Sequence, residues 1–254
     1  MELLFALVVS LIVQFLFFVP AFLFRTDKLT DFSYSLSFVI LASIGLFSSS
    51  RSLGHVLVFV MILFWACRLG GYLLVRVLKK GRDARFDSIR GRFWSFLGFW
   101  AVQGVVVWAV SLSSIVFFSS RGVLSWWSSI GAAIFLAGLL LETVADAQQF
   151  SFRNKKGNEK SLFTGGVWRY SQHPNYFGEI LVWLGVFLFV LPGISNLPSL
   201  LFAAMSPAVI ITTLLFFSGI PATRRRLEAR FGKQRAYQEY KRRTSVLVPW
   251  PPKK

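Results

Sequence analysis

Seven stretches of this chain are apolar over the length a bilayer demands, and no other feature narrows the possible folds as much. They cover residues 3–24, 32–49, 53–75, 93–118, 123–145, 176–192 and 200–220, close to the ~17–25 residues a helix needs to cross roughly 30 Å of hydrocarbon. In lipid only helices and closed barrels satisfy every backbone polar group, and runs this continuously apolar read as helices. The expected fold is all-α: a polytopic membrane helix bundle of about seven transmembrane helices, forming one integral membrane domain over residues 1–254. The second stretch is the weakest, because Ser33, Ser35, Ser37, Ser43 and the serine run 48–50 dilute it. Residues 1–24 have no basic n-region and no small-residue cleavage site, so they read as a first span rather than a removable signal.

Charge then orients the bundle. The chain carries 28 Lys and Arg against 11 Asp and Glu, a net charge of +17. In a soluble protein that excess suggests nucleic acid, but here it sorts by loop and no basic module with interleaved aromatics accompanies it. Segments 76–92, 146–175 and 221–254 hold seven, five and eleven basic residues, whereas the second and fourth loops hold only Arg51 and Arg121. Arg25 and Lys28 in the first loop agree with the same alternation. The positive-inside rule predicts an outer N-terminus and a cytoplasmic C-terminus, with the basic face against anionic membrane lipid. A bacterial inner membrane fits, or the endoplasmic reticulum for a eukaryotic source. Cys67 is alone and the histidines are His55 and His173, which supplies no metal-ligand spacing. No phosphate loop, dinucleotide fingerprint or nucleophile elbow is present.

The remaining chemistry lies at helix ends. His173-Pro174-Asn175-Tyr176-Phe177-Gly178-Glu179 opens the sixth apolar stretch. Pro174 suits a first helical turn, where its missing N–H costs nothing. Asn175 and Glu179, four apart, then share a face, and a carboxylate one turn inside a membrane helix persists because it meets protein, a partner or a ligand. Glu142, Asp146, Gln149 and Arg153 form one stripe if the fifth helix extends that far. Two carboxylates four apart need an intervening cation or donor, either a neighbouring arginine or the hydroxyls and amide of a nucleotide. Arg68, Tyr72 and Arg76 recur every four residues on the third helix. Beyond the seventh stretch, Gly219-Ile220-Pro221 is expected to stop the run. The basic segment from Arg224 then reads either as a surface helix on anionic lipid or as a cover closing over a phosphate-bearing ligand.

These residues also carry a resemblance. Glu142-x-x-x-Asp146, the run Gly165-Gly166-x-Trp168-x-Tyr170-Ser171-x-His173 through Glu179, and the closing Tyr240 and Pro249-Trp250 resemble the steroid 5α-reductase-like superfamily, in its bacterial DUF1295 branch. Arg68-Leu69-Gly70-Gly71-Tyr72-Leu73, Arg76 and Gly81-x-Asp83-x-Arg85 are similar to that branch's third-helix pattern, so the resemblance spans roughly residues 65–250. It implies a membrane reductase that takes NADPH from the cytoplasm and reduces an enone, or another conjugated double bond, in a lipid-like steroid or isoprenoid substrate. By position it implies cofactor contacts at Glu142, Asp146, Arg153, Asn175, Arg225 and Tyr240, with Glu179 matching the carboxylate that follows the asparagine. Glu179 and Tyr72 are the candidate catalytic residues, Tyr72 as proton donor beside Arg68. The chain departs from the pattern at Glu142, where steroid reductases carry an amide, at Gln172, where the branch usually has Arg, and at Phe86, commonly Tyr. The carboxylate–tyrosine pair that polarises substrate in the steroid enzymes has no counterpart. A rival resemblance, to isoprenylcysteine carboxyl methyltransferase, would substitute S-adenosylmethionine as cofactor.

Overall fold

The computed structural model describes residues 2–80, 86–158 and 161–253, without the side chains of 73–80. Gly81, Asp83 and Arg85 of the third-helix pattern lie outside the described residues, as does the side chain of Arg76. The architecture is all-helical: α1 Leu3–Leu23, α2 Thr30–Phe47, α3 Leu53–Lys80, α4 Phe93–Phe118, α5 Trp126–Arg153, α6 Pro174–Val190, α7 Leu197–Thr212, α8 Ile220–Phe231 and α9 Arg235–Arg243. Among the described residues seven helical stretches are long and apolar enough to cross a membrane, as the sequence predicts. The described residues contain no strand, only a single parallel bridge between Ser171 and Ser245.

Three boundaries carry information. α6 begins at Pro174, two residues before the apolar stretch, with the proline in the first turn as the sequence predicts, because there it forfeits no helical hydrogen bond. α5 continues helical to Arg153, so its polar stripe is one continuous face. The seventh apolar run does not simply stop at Gly219-Ile220-Pro221. It passes through a π-helical turn at Thr213–Phe217 and resumes as α8, whose first turn holds Pro221. The proline that ends one helix here starts the next.

The chain forms two compact units. One comprises residues 1–131 and 186–206, the other residues 132–185 and 207–254. In the first, α1 lies along α4 and α2 along α3. Lipid tails are as apolar as leucine, so helices in a bilayer gain little from apolar contact alone; close approach and interhelical hydrogen bonds decide which faces meet. Both devices are visible. Gly104 lets α4 approach Leu11 and Gln14 so closely that a Cβ there would sit 3.0 Å from Leu11 Cδ2. Ser10 Oγ donates to Gly104 O at 2.8 Å. Gln14, 1 % exposed, donates to Ser37 Oγ (2.8 Å) and accepts from Gln103 Nε2 (2.8 Å), which also donates to Thr30 O (3.0 Å). The serines that weaken the second stretch as a hydropathy signal are its interior face: Ser33, Ser35 and Ser37 are all buried. Arg90 pairs with buried Asp27 at 3.0 Å. Phe86, at the position where the branch commonly has Tyr, is 5 % exposed and packs in an aromatic cluster with Phe18, Phe96 and Trp100. A phenylalanine there leaves no hydroxyl to satisfy.

Replacing Gln14 removes the shared partner of Ser37 and Gln103. Gln14→Ala is expected to destabilise the protein by about 1–2 kcal/mol, read as a lower unfolding midpoint in a denaturing-detergent titration; an unchanged midpoint would contradict this account.

Candidate functional site

In the second unit α5 and α6 cross at two glycines. A Cβ on Gly178 would lie 2.8 Å from both Glu142 N and Gly138 O, and one on Gly138 would lie 2.6 Å from Gly178 O. The two backbones are therefore in van der Waals contact, as in small-residue helix crossings in membranes. Because Gly138, Glu142 and Asp146 are successive four-residue steps along α5, this crossing sets both carboxylates against the first turns of α6. Glu142 is 3 % and Asp146 7 % exposed. Asn175, the second residue of α6, donates from Nδ2 to Asp146 Oδ1 across a long 3.5 Å. Its Oδ1 is buried with no hydrogen-bond partner among the described residues. The positive end of the α6 dipole lies at this point and favours the neighbouring carboxylate charge.

Glu142, Asp146 and Asn175 are thus brought together. Glu179 lies one turn beyond Asn175 and Arg153 on the last turn of α5, both half-buried. Arg225 is exposed on α8, whose start is fixed to the start of α6 by the Tyr176 Oη–Thr223 Oγ1 bond of 2.8 Å. Tyr72 belongs to the other unit, where the Arg68 guanidinium carbon lies 5.9 Å from its ring centroid.

The segment before α6 is held by the C-terminal tail. Gly166, at φ 56°, makes the turn that only glycine adopts without strain. Val167 N then donates to Gln148 Oε1 (2.9 Å) and Trp168 Nε1 to Ala145 O (2.9 Å), fastening the turn to α5. The tail returns over it. Gln172 N donates to Ser245 O (2.8 Å), Trp250 N to Tyr170 O (3.0 Å) and Ser171 Oγ to Leu247 O (2.6 Å). Gln172 Nε2 donates to Thr244 O (2.8 Å), so the amide at this position closes the C-terminal end of α9. Tyr240 Oη donates to Trp168 O at 2.7 Å. Burial, then the neighbouring Tyr237, raises the Tyr240 phenol well above its ordinary range, so it stays protonated as a donor.

Sequence reasoning gave no role to Gly138 or His173. Gly138 was detectable as the small residue one turn before Glu142. His173 is 3 % exposed, stacks on Tyr176 with ring centroids 5.2 Å apart, and forms no hydrogen bond from its ring to a described residue. Burial, helped by the Arg224 charge, lowers its pKa from 6.5 to about 4. The ring is consequently neutral at physiological pH, one nitrogen a donor and the other an acceptor.

Residues 17–244 match the family described as Protein of unknown function (DUF1295). The chain belongs to this family. The match reaches further toward the N-terminus than the third-helix pattern and includes the Gln14 partners on α2 and α4. A stretch of 56 residues, 22 % of the chain, is 41 % identical to the steroid 5-alpha-reductase DET2 of Solanum lycopersicum, and spans 21 % of that relative's length. No solved structure matches the chain.

A histidine whose folded pKa lies below its unfolded value stabilises the fold fully above about pH 6.5, and that contribution disappears as pH falls toward 4. The loss is roughly 3 kcal/mol at most. Unfolding midpoints between pH 7.5 and 4 should therefore fall more steeply for the wild type than for His173→Gln, which cannot take up the proton; parallel profiles would remove His173 as the cause.

Proposed function

We propose that this protein is a membrane reductase that binds NADPH and reduces a double bond conjugated to a carbonyl in a hydrophobic, steroid-like or isoprenoid substrate. The observation that carries the reading is the buried Oδ1 of Asn175 beside the Asp146 carboxylate. A buried acceptor without a partner costs about 1–3 kcal/mol, and a ligand bearing hydroxyl or amide N–H donors removes that cost. The ribose hydroxyls and carboxamide of a nicotinamide nucleotide supply such donors, so the residues present fit the cofactor.

In this reading Asp146 and Asn175 orient the nucleoside end, with Glu142 behind them at the glycine crossing. Arg153 and Arg225 meet phosphate oxygens through planar guanidinium forks. Tyr240 acts by holding the 168–171 carbonyls, and through them the entry to α6. Bound NADPH supplies hydride to the substrate's β-carbon. A proton donor at the carbonyl lowers the barrier as enolate charge develops; Tyr72 is proposed for that role from its sequence position, and Glu179 as the carboxylate that positions the reacting end. Similarity to the tomato steroid 5-alpha-reductase over 56 residues supports the reaction class.

The test is direct binding of NADPH and, separately, S-adenosylmethionine to the purified protein. Saturable NADPH binding is expected, weakened about tenfold or more by Asp146→Ala and by Asn175→Ala, while Tyr72→Phe keeps binding and loses turnover on enone lipids. Binding of S-adenosylmethionine in place of NADPH would overturn the reductase, and a fully active Tyr72→Phe would remove the proposed acid. The same reading requires the basic tail to face the cytoplasm. A fluorescent protein that matures only there, fused after Lys254, should therefore fluoresce; a dark but expressed fusion would reverse the topology.

A further inference from the structure

The C-terminal tail does more than cover the segment before α6. With that segment it also forms a cleft of about 430 Å³, lined by Leu162, Thr164 and Arg169 of the α5–α6 connection and by Tyr240, Arg243 and Pro252 of the tail. That volume lies within the roughly 300–1,000 Å³ typical of small-molecule sites. Its charge is not balanced among the described residues. Glu239 is the carboxylate in the lining, and Arg243 takes it, with Nη1 on Glu239 Oε1 at 3.3 Å and Nε donating to Lys253 O at 2.9 Å. Arg169 is exposed and makes no side-chain hydrogen bond or ion pair with a described residue. Among the described residues one guanidinium thus lines the cleft without a counter-charge, beside the threonines 164 and 244.

The tail beside this cleft is aromatic and apolar. Tyr170, next to Arg169, is 43 % exposed and Trp250 68 %, and the two are joined by the Trp250 N–Tyr170 O bond of 3.0 Å. Val246 and Val248 are exposed on the same returning stretch of tail. α6 enters its apolar span at Pro174, so Arg169 and Tyr170, five and four residues earlier, sit close to where that helix meets the hydrocarbon. Exposed Tyr and Trp at that level are the residues that settle among lipid headgroups, and an arginine fork there matches phosphate oxygens.

We propose that this cleft binds the phosphate headgroup of an anionic membrane lipid, with Arg169 as its principal partner and Tyr170 and Trp250 resting at the top of the acyl chains. None of the cleft's charged residues belongs to the Glu142–Asp146–Asn175 group; Tyr240 is shared, since it lines the cleft and also holds the 168–171 carbonyls. It gives the tail a second anchor: besides its hydrogen bonds to the segment before α6, a lipid held in the cleft they share would tie both to the bilayer.

The test uses the full chain, delipidated in neutral detergent and titrated with phosphatidylglycerol or phosphatidylcholine under native mass spectrometry. Phosphatidylglycerol should be retained in preference to phosphatidylcholine. Arg169→Ala should reduce that retention at least fivefold, and Arg169→Lys by less, because it keeps the charge and loses the fork. Lys233→Ala, an exposed cation outside the cleft, should leave retention unchanged, which separates a built site from general basic charge. Trp250→Ala should weaken the lipid and spare soluble glycerol phosphate. Equal retention of the two lipids, or equal loss from Arg169→Ala and Lys233→Ala, would overturn the site. Glycerol phosphate binding as tightly as the lipid, with no effect of Trp250→Ala, would overturn the lipid in favour of a free phosphate.

Discussion

Backbone contact between α5 and α6 at Gly138 and Gly178 determines where the polar groups of the second unit can go. Apolar side chains in a bilayer pack as well against lipid as against a neighbouring helix, so two spans acquire a fixed register only where something distinguishes the two. A glycine on each helix does this by removing the Cβ atoms that hold axes apart; restoring one at Gly178 would set it 2.8 Å from Gly138 O and Glu142 N, atoms that cannot rotate away. Once the helices touch there, the four-residue period of α5 carries Glu142 and Asp146 onto the N-terminal turns of α6. Charge placement is then favourable as well as forced, because the first turn of α6 presents unpaired N–H groups and the positive end of its dipole to the carboxylates.

The tail depends on that arrangement and reinforces it. Its bonds to the 168–172 segment are made largely to backbone groups, including Gln172 N to Ser245 O, Trp250 N to Tyr170 O and Tyr240 Oη to Trp168 O. Fixing a backbone through its own carbonyls restrains position without adding charge to a region already rich in arginine. Gln172 illustrates the point. A guanidinium there would add one more cation near Arg224 and Lys241, whereas the neutral amide donates to the carbonyls of Lys241 and Thr244 at the end of α9. The residue that departs from the pattern the resemblance implies thus has a local structural use.

How much of this was legible in the sequence follows from the range of each interaction. Span number, the start of α6 at Pro174 and the continuation of the α5 stripe to Arg153 depend on hydropathy and on neighbours within a turn, and the sequence displays them. The Asp146–Asn175 contact joins residues 29 apart, and only the family pattern hinted at it. Ser33 and Ser37 looked like a defect in the second span, because their partners Gln14 and Gln103 lie on other helices and leave no periodic trace. The tail's return spans 69 to 80 residues, from the Tyr240–Ser171 bond to the Trp250–Tyr170 bond. Composition showed that tail only as basic and faintly amphipathic, and Tyr240 stood out without any sign that its hydroxyl reaches Trp168 O. The neutrality of His173 was equally hidden, since burial and the Arg224 charge arise only when α8 folds back beside α6.

Two buried polar groups in this chain invite opposite conclusions from the same physics. Gln14 is nearly inaccessible, and both its amide nitrogen and its oxygen find partners. Such a group is worth what its bonds return, and it specifies which faces of α1, α2 and α4 meet. Asn175 is a second amide, with its nitrogen on a long bond to Asp146 and its oxygen buried without a partner among the described residues. A partly satisfied amide is a poorer structural element than leucine would be at the same place, because it carries the desolvation cost without the return. Packing alone therefore accounts for Gln14. In the proposed function a ligand's donor would complete the amide at 175, and His173, buried, neutral and unbonded at its ring two residues earlier, adds a second polar group to the same mouth of α6.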